Sequence, residues 1–246
     1  YTEENTLSLH DALPIFPSCG TCSAPEICGG GGVPSRCGSS GDAGSACTGL
    51  CQNQVRCDGG TTTTLTGIVT TPRALTPDPL YNAIVYVPNA PVAAFGQAVT
   101  CDQCGSEVSG KPLVIDHTNA KGEFRLTNVP VGTNIPLVIQ LGRWRRQVTI
   151  PRVEACTTTA LPNDLTHLPR NKSEGDIPQM AMVTGRLDSI ECVLRRIGID
   201  DSEFTAPSGS GRVHMYRENG AWITPVDDPA QATRSNLFAS QAAMDR

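Results

Sequence analysis

Aromatic side chains are scarce in this chain: two Trp, four Tyr and five Phe among 246 residues. With 39% hydrophobic residues, 24 Gly and 19 Pro, the composition is that of a loop-rich, β-leaning protein with modest core material. No run of about 18 apolar residues occurs, which leaves no candidate for a transmembrane helix. Positive charge is not in excess either. The formal net charge is −5, which argues against nucleic acid as a partner. The fingerprints of common catalytic sites are also missing. There is no Gly-x-Ser-x-Gly elbow, and Ser208-Gly209-Ser210-Gly211 reads as a flexible loop. Nor is there a His-Glu-x-x-His pair, a phosphate-binding loop or a dinucleotide fingerprint. The serines together with His117, His167 and His214 leave a triad assembled by the fold as the remaining route to hydrolysis. No catalytic residue and no cofactor is expected for the residues given.

Cysteine, by contrast, is plentiful. Eleven are present, and seven of them (Cys19, Cys22, Cys28, Cys37, Cys47, Cys51 and Cys57) fall within one short Gly-rich segment. Gly29 to Gly32 cannot pack a core and permit positive φ, so covalent cross-links must hold this module. Such density outside a metal site points to disulfides and an oxidising compartment, hence to a secreted or cell-surface protein. Zinc is the competing reading. A structural zinc site wants two close pairs, whereas only Cys19/Cys22 and the distant Cys101/Cys104 have two-residue spacing, and no His lies near. Seven is odd, so one cysteine of the module pairs outside it or stays free. Cys101, Cys104, Cys156 and Cys192 complete the set of disulfide candidates. The stretch Cys19 to Gly38 resembles a Cys- and Gly-rich motif that recurs in secreted bacterial proteins, and that resemblance implies no defined chemistry.

No signal peptide opens the chain: there is no basic start and no long apolar stretch ending in small residues. Thr6 to Ile15, TLSLHDALPI, resembles the translation of a sequencing-library adapter instead. Residues 1–16 are therefore expected to be non-native, joined to a reading frame whose leader has been lost, and His10 is no site candidate. Without Glu3, Glu4 and Asp11 the net charge moves from −5 to −2. An intact genomic locus that still encodes TLSLHDALPI would overturn this.

Residues 17–60 form the cysteine module, and Thr61 to Thr64 reads as a linker. From 65 to 151, apolar and β-branched residues alternate between Gly, Pro and Asn breaks, the pattern of an antiparallel β-sandwich. Strands are predicted at 65–69, 83–87, 113–117, 123–126, 136–141 and 147–150, with a turn at Asn119 to Gly122 and a hairpin around Gly142. The connection from Pro88 to Gly110 is long, and connections of this length are usually functional or stapled. Gly67, the stretch Leu80 to Val85, Lys121-Gly122-Glu123-Phe124 and Pro130-Val131-Gly132 match the pattern of a carboxypeptidase regulatory-like domain. The region resembles that family, which implies an Ig-like, transthyretin-like sandwich. Such domains are accessory modules beside peptidases, receptors and secreted hydrolases, with a carbohydrate-binding-like fold and no catalytic residues. The long insertion around Cys101 and Cys104 departs from the family.

On a strand, Arg143 and Arg145 share one face, and Trp144 and Arg146 the other. Trp144 could stack on a sugar while Arg143 and Arg145 grip an acidic glycan. The alternative is a solvated hairpin with one aromatic covering the sheet. Residues 152–183 read as an extended connector that includes His167 and an idle Asn171-Lys172-Ser173 sequon. A helix is predicted over Thr184 to Ile197, with Leu187, Ile190, Leu194 and Ile197 as its apolar stripe, Asp188 in its first turn and Gly198 closing it. Cys192 is then either a small core residue or the partner of Cys156. Asp200, Asp201 and Glu203 are candidate calcium ligands, but they lack EF-hand spacing and read equally as an acidic turn. Arg212 to Tyr216 reads as a strand and Ala239 to Met244 as a helix start, so 184–246 is expected to open an α/β domain that is cut short. Two functions remain in view. One is a non-enzymatic secreted or cell-surface module with an extracellular glycan or protein partner. The other is the N-terminal part of a secreted hydrolase whose active site lies further on.

Overall fold

A computed structural model describes residues 26–28, 37–39, 47–96, 108–187, 190–218, 221, 232–239 and 241–244. The chain divides into two compact units, 1–48 and 49–246. In the first, β1 (Glu26–Cys28) and β2 (Cys37–Ser39) form an antiparallel pair in which Cys28 faces Cys37 in register. Cys19, Cys22 and the adapter-like stretch lie outside the described residues, as do Cys101 and Cys104.

The second unit is a β-sandwich joined to a small parallel sheet. Its three-stranded layer runs β6 (Glu123–Thr127), β3 (Thr64–Ile68), β9 (Thr158–Ala160). Its four-stranded layer runs β5 (Pro112–His117), β4 (Ile84–Pro88), β7 (Gly132–Leu141), β8 (Trp144–Val153). All pairings are antiparallel except β3 with β9. Alternation in the sequence sets which faces turn inward. In β6 Phe124 and Leu126 are buried while Glu123, Arg125 and Thr127 are exposed. Leu65, Val85, Leu126, Leu137, Ile139 and Ile150, drawn from both layers, share one core. Gly67 faces Phe124 in register, and a Cβ at that position would lie 2.8 Å from the Phe124 ring. The missing side chain thus lets the ring lie across β3. The predicted turn forms as expected. Asn119 Oδ1 accepts the amide hydrogens of Lys121 and Glu123, and Gly122 takes φ 74°.

Three sequence expectations are corrected here. The four-threonine stretch is no linker at its end: Thr63 and Thr64 are buried, and Thr64 opens β3. The connector is not simply extended. It carries the end of β8, all of β9 and the start of β10 (Met180–Thr184), and His167 is buried, its backbone bridged to Thr70. The helix is half as long as its stripe suggests. It is α1, Glu191–Ile197, because Thr184 is already the last residue of β10, paired with Arg217. Leu187, Ile190 and Val193 are exposed, and Leu194 and Ile197 alone of the stripe pack inward. Glu191 is the acid of its first turn, Asp188 lies outside the described residues, and Gly198 closes it at φ 106° as expected.

Around α1 the chain forms a parallel sheet in the order β10, β12 (Val213–Arg217), β11 (Phe204–Thr205). Val213, Met215, Phe204 and Ile199 make its core, covered by Leu194 and Ile197. Two short helices, α2 (Arg234–Leu237) and α3 (Gln241–Met244), follow, α2 with a Thr233/Asn236 capping box. The architecture is mainly β, a sandwich with an α/β appendage. Among the described residues no helix is long and apolar enough to cross a membrane.

Candidate functional site

The polar hairpin at the start of β8 organises the region where the sequence placed its ligand candidates. Leu141 pairs with Trp144, so Gly142 and Arg143 form a two-residue turn, with Gly142 at φ 57°. Arg143 and Arg145 reach the same side, as strand periodicity requires. Both guanidinium groups lie over the ring of Phe95, Arg145 at 4.0 Å and Arg143 at 5.5 Å from its centroid. Arg143 also donates to the Gly96 carbonyl. The long loop is therefore clamped on the hairpin by its only described aromatic.

Arg145 is buried and engaged on a second side. Its Nε and Nη2 donate to Asp176 Oδ2 at 2.9 and 2.8 Å. The two backbones exchange hydrogen bonds, Arg145 N–H to Asp176 O at 3.0 Å and Asp176 N–H to Arg145 O at 2.7 Å. Gly175 makes this approach possible, since a Cβ there would lie 2.2 Å from the Arg145 carbonyl oxygen. A charge-assisted bond inside a partly desolvated site is worth more than an exposed ion pair, and it fixes the former connector to the edge of β8. Burial pushes the Tyr86 phenol above its ordinary 10.0, against the opposing pull of Arg145.

Trp144 and Arg146 occupy the other side. Trp144 is half-buried and packs against both the sandwich core and the parallel-sheet core. Its side chain touches both cores while staying partly exposed. Arg146 donates to the carbonyls of Asp164 and His167 at 2.9 and 3.3 Å. Burial lowers its pKa, as do neighbouring charges in part. His167 donates from Nδ1 to the Leu168 carbonyl at 2.7 Å, leaving Nε2 facing Arg170 at 3.4 Å. Burial, with Arg146 and Arg170, holds its pKa below the ordinary 6.5.

The carboxylates of the acidic turn have local partners. Asp200 caps it, accepting from Ser202 N–H, and this bond with one from Asn171 lowers the Asp200 pKa. Asp201 pairs with Arg195 at 2.8 Å. Glu203 is 1% exposed and accepts the backbone amide hydrogens of Lys172 and Arg212 at 2.8 and 2.9 Å. The three carboxylates are spent on local structure, and no group of three or more His, Cys, Asp or Glu among the described residues could hold a metal.

Of the disulfide candidates, Cys57 and Cys156 are bonded to each other, with Cα atoms 5.5 Å apart and a sequence separation of 99. Cys47 and Cys51 are oxidised as well. Cys156 is thus not the partner of Cys192, and Cys192 is neither core nor cross-linked: it is exposed and free. Its helix is turned so that residue 192 faces outward while Leu194 faces in. Sequence reasoning found Arg143 and Arg145 but not Phe95, Gly175 or Asp176. These lie 30 to 50 positions from Arg145, and only the Gly-Asp dipeptide in an otherwise polar stretch hinted at a tight contact.

No family model matches the chain, and no curated protein matches its sequence. Among solved structures, a minor pilin of Streptococcus agalactiae is similar over 49% of this chain at 13% identity and a TM-score of 0.26. The chain spans 47% of that pilin's length. A type II cohesin–X-dockerin complex from Acetivibrio cellulolyticus, an N-terminal interface mutant, aligns over 60% of this chain and 78% of its own at 12% identity and TM-score 0.27. The shaft pilin SpaA of Lactobacillus rhamnosus GG aligns over 51% of this chain and 71% of its own at 9% identity and TM-score 0.22. Likenesses this slight leave the architecture to be read from the strands themselves.

Proposed function

We propose that the chain is a non-enzymatic accessory module of a secreted or cell-surface bacterial protein, with the sandwich as a platform for a protein partner. The observation that carries this is the Cys57–Cys156 bond. It closes a loop around strands β3 to β8, with a sequence separation of 99, and cytosolic thiol buffers keep such bonds reduced. The polar groups of the candidate site point the same way. Arg143, Arg145 and Asp176 hold a loop in place, and none of them forms a nucleophile–base pair. The sandwich order and the Lys121-Gly122-Glu123-Phe124 turn support a carboxypeptidase regulatory-like module. A protein partner is preferred over a glycan because Trp144 is packed between two cores.

The test is a thiol count on protein isolated from its native host, denatured without reductant. Eleven cysteines and a free Cys192 lead to an expected count that is small and odd for a monomer. Eleven free thiols would overturn the exported, disulfide-bonded reading.

A further inference from the structure

A second polar region lies away from the hairpin, where the loop 72–75 runs past the C-terminal end of α1. Gly198 permits the approach: a Cβ there would lie 2.5 Å from the backbone nitrogen of Arg73 and 2.6 Å from the Pro72 carbonyl carbon. Between loop and helix end is an open groove of about 490 Å³. Four arginines are among its lining residues, Arg73, Arg170, Arg195 and Arg196, on a chain whose net charge is −5. Two are already neutralised, Arg170 by Glu174 at 3.1 Å and Arg195 by Asp201 at 2.8 Å, and Arg195 also lies over Phe204. Among the described residues no hydrogen bond or ion pair engages the side chain of Arg73 or of Arg196. The rest of the wall is aliphatic. Leu75 is 78% exposed, and Pro72 and Ile199 lie beside it.

We infer that this groove docks an acidic peptide segment bearing an aliphatic side chain, supplied by a protein partner. The inference goes beyond the accessory-module reading and does not depend on the compartment. Guanidinium forks match carboxylates in geometry as well as in charge. Arg73 lies on the loop and Arg196 at the end of α1, and carboxylates spaced along a peptide can meet both. The exposed Leu75 gives a neighbouring aliphatic side chain apolar surface to cover. No aromatic residue lines the groove, so a sugar ring finds no face to stack on. The groove is of the size that takes a few side chains rather than a whole domain face.

The experiment is fluorescence anisotropy of the full chain with a labelled peptide of alternating glutamate and leucine, at low and at high salt. Saturable binding that weakens with salt is expected. The double variant Arg73→Gln/Arg196→Gln should bind about tenfold more weakly. Leu75→Glu, at an exposed position that folding does not need, should weaken binding comparably by repulsion. A lysine–leucine peptide and a sulfated disaccharide serve as controls. Absence of saturable binding, unchanged binding in Leu75→Glu, or equal affinity for the sulfated disaccharide would overturn the inference. A thiol count of eleven would overturn the export reading and leave this one standing.

Discussion

At the scale of single residues, two buried polar side chains show how much rests on groups with no catalytic task. Glu203 gives both its oxygens to backbone amides of two different segments, Lys172 and Arg212. Glu203→Gln turns one acceptor into a donor facing an N–H, and one buried amide is left unsatisfied. We expect a loss of about 1–3 kcal/mol, measured as a lower midpoint of urea denaturation. His167 makes a pH prediction. Its folded pKa is depressed below 6.5, chiefly by burial and then by Arg146 and Arg170, against raising contributions from the Leu168 carbonyl and Glu174. The unfolded chain therefore takes up the proton first as pH falls. The stabilising contribution is complete above 6.5 and is lost on descent through the folded pKa. His167→Gln should flatten the fall in melting temperature between pH 7 and pH 5. An undiminished slope would count against His167 as its source. Neither role was legible in sequence: Glu203 looked like one acid among three, and His167 like a connector residue.

At the scale of elements, alternation made most of the sandwich legible, and β6 shows why. A strand with one buried and one wet face writes its own period into the sequence, as Glu123-Phe124-Arg125-Leu126-Thr127 does. Strand β9 writes none. Thr158-Thr159-Ala160 is short and polar, and it pairs with β3 in parallel after the chain has been returned by Cys156. The helix failed for the opposite reason. Leu187 and Ile190 fit a 3.6-residue period by chance of composition, yet β10 had claimed Thr184 through its pairing with β12. In the candidate site, Arg143 and Arg145 were legible as one face, whereas Phe95 and Asp176 join them only through tertiary structure. Gly67 offers a test of packing between β3 and β6. Gly67→Ala should cost about 1–3 kcal/mol by forcing the Phe124 ring aside. Phe124→Leu made in the same chain should cost less than the two changes summed, read from a double-mutant cycle of denaturation midpoints.

At the scale of the whole molecule, the sandwich begins and ends at the same place. Cys57 precedes β3 and Cys156 precedes β9, and the two strands then run side by side from Thr64↔Thr158 to Thr66↔Ala160. Mechanical load has a shortcut there. A pull that enters at Cys57 and leaves at Cys156 crosses one covalent bond, and the 98 residues between feel no tension. In single-molecule stretching, the oxidised chain should lack an extension of roughly 340 Å, the length of that many residues drawn out. Cys57→Ser/Cys156→Ser should release it. If oxidised and Ser-substituted chains lengthen equally, the bond does not bypass the sandwich. A platform built this way can be strung between neighbours and stretched without strands β3 to β8 coming apart, so the cross-link serves as a strain relief as much as a staple.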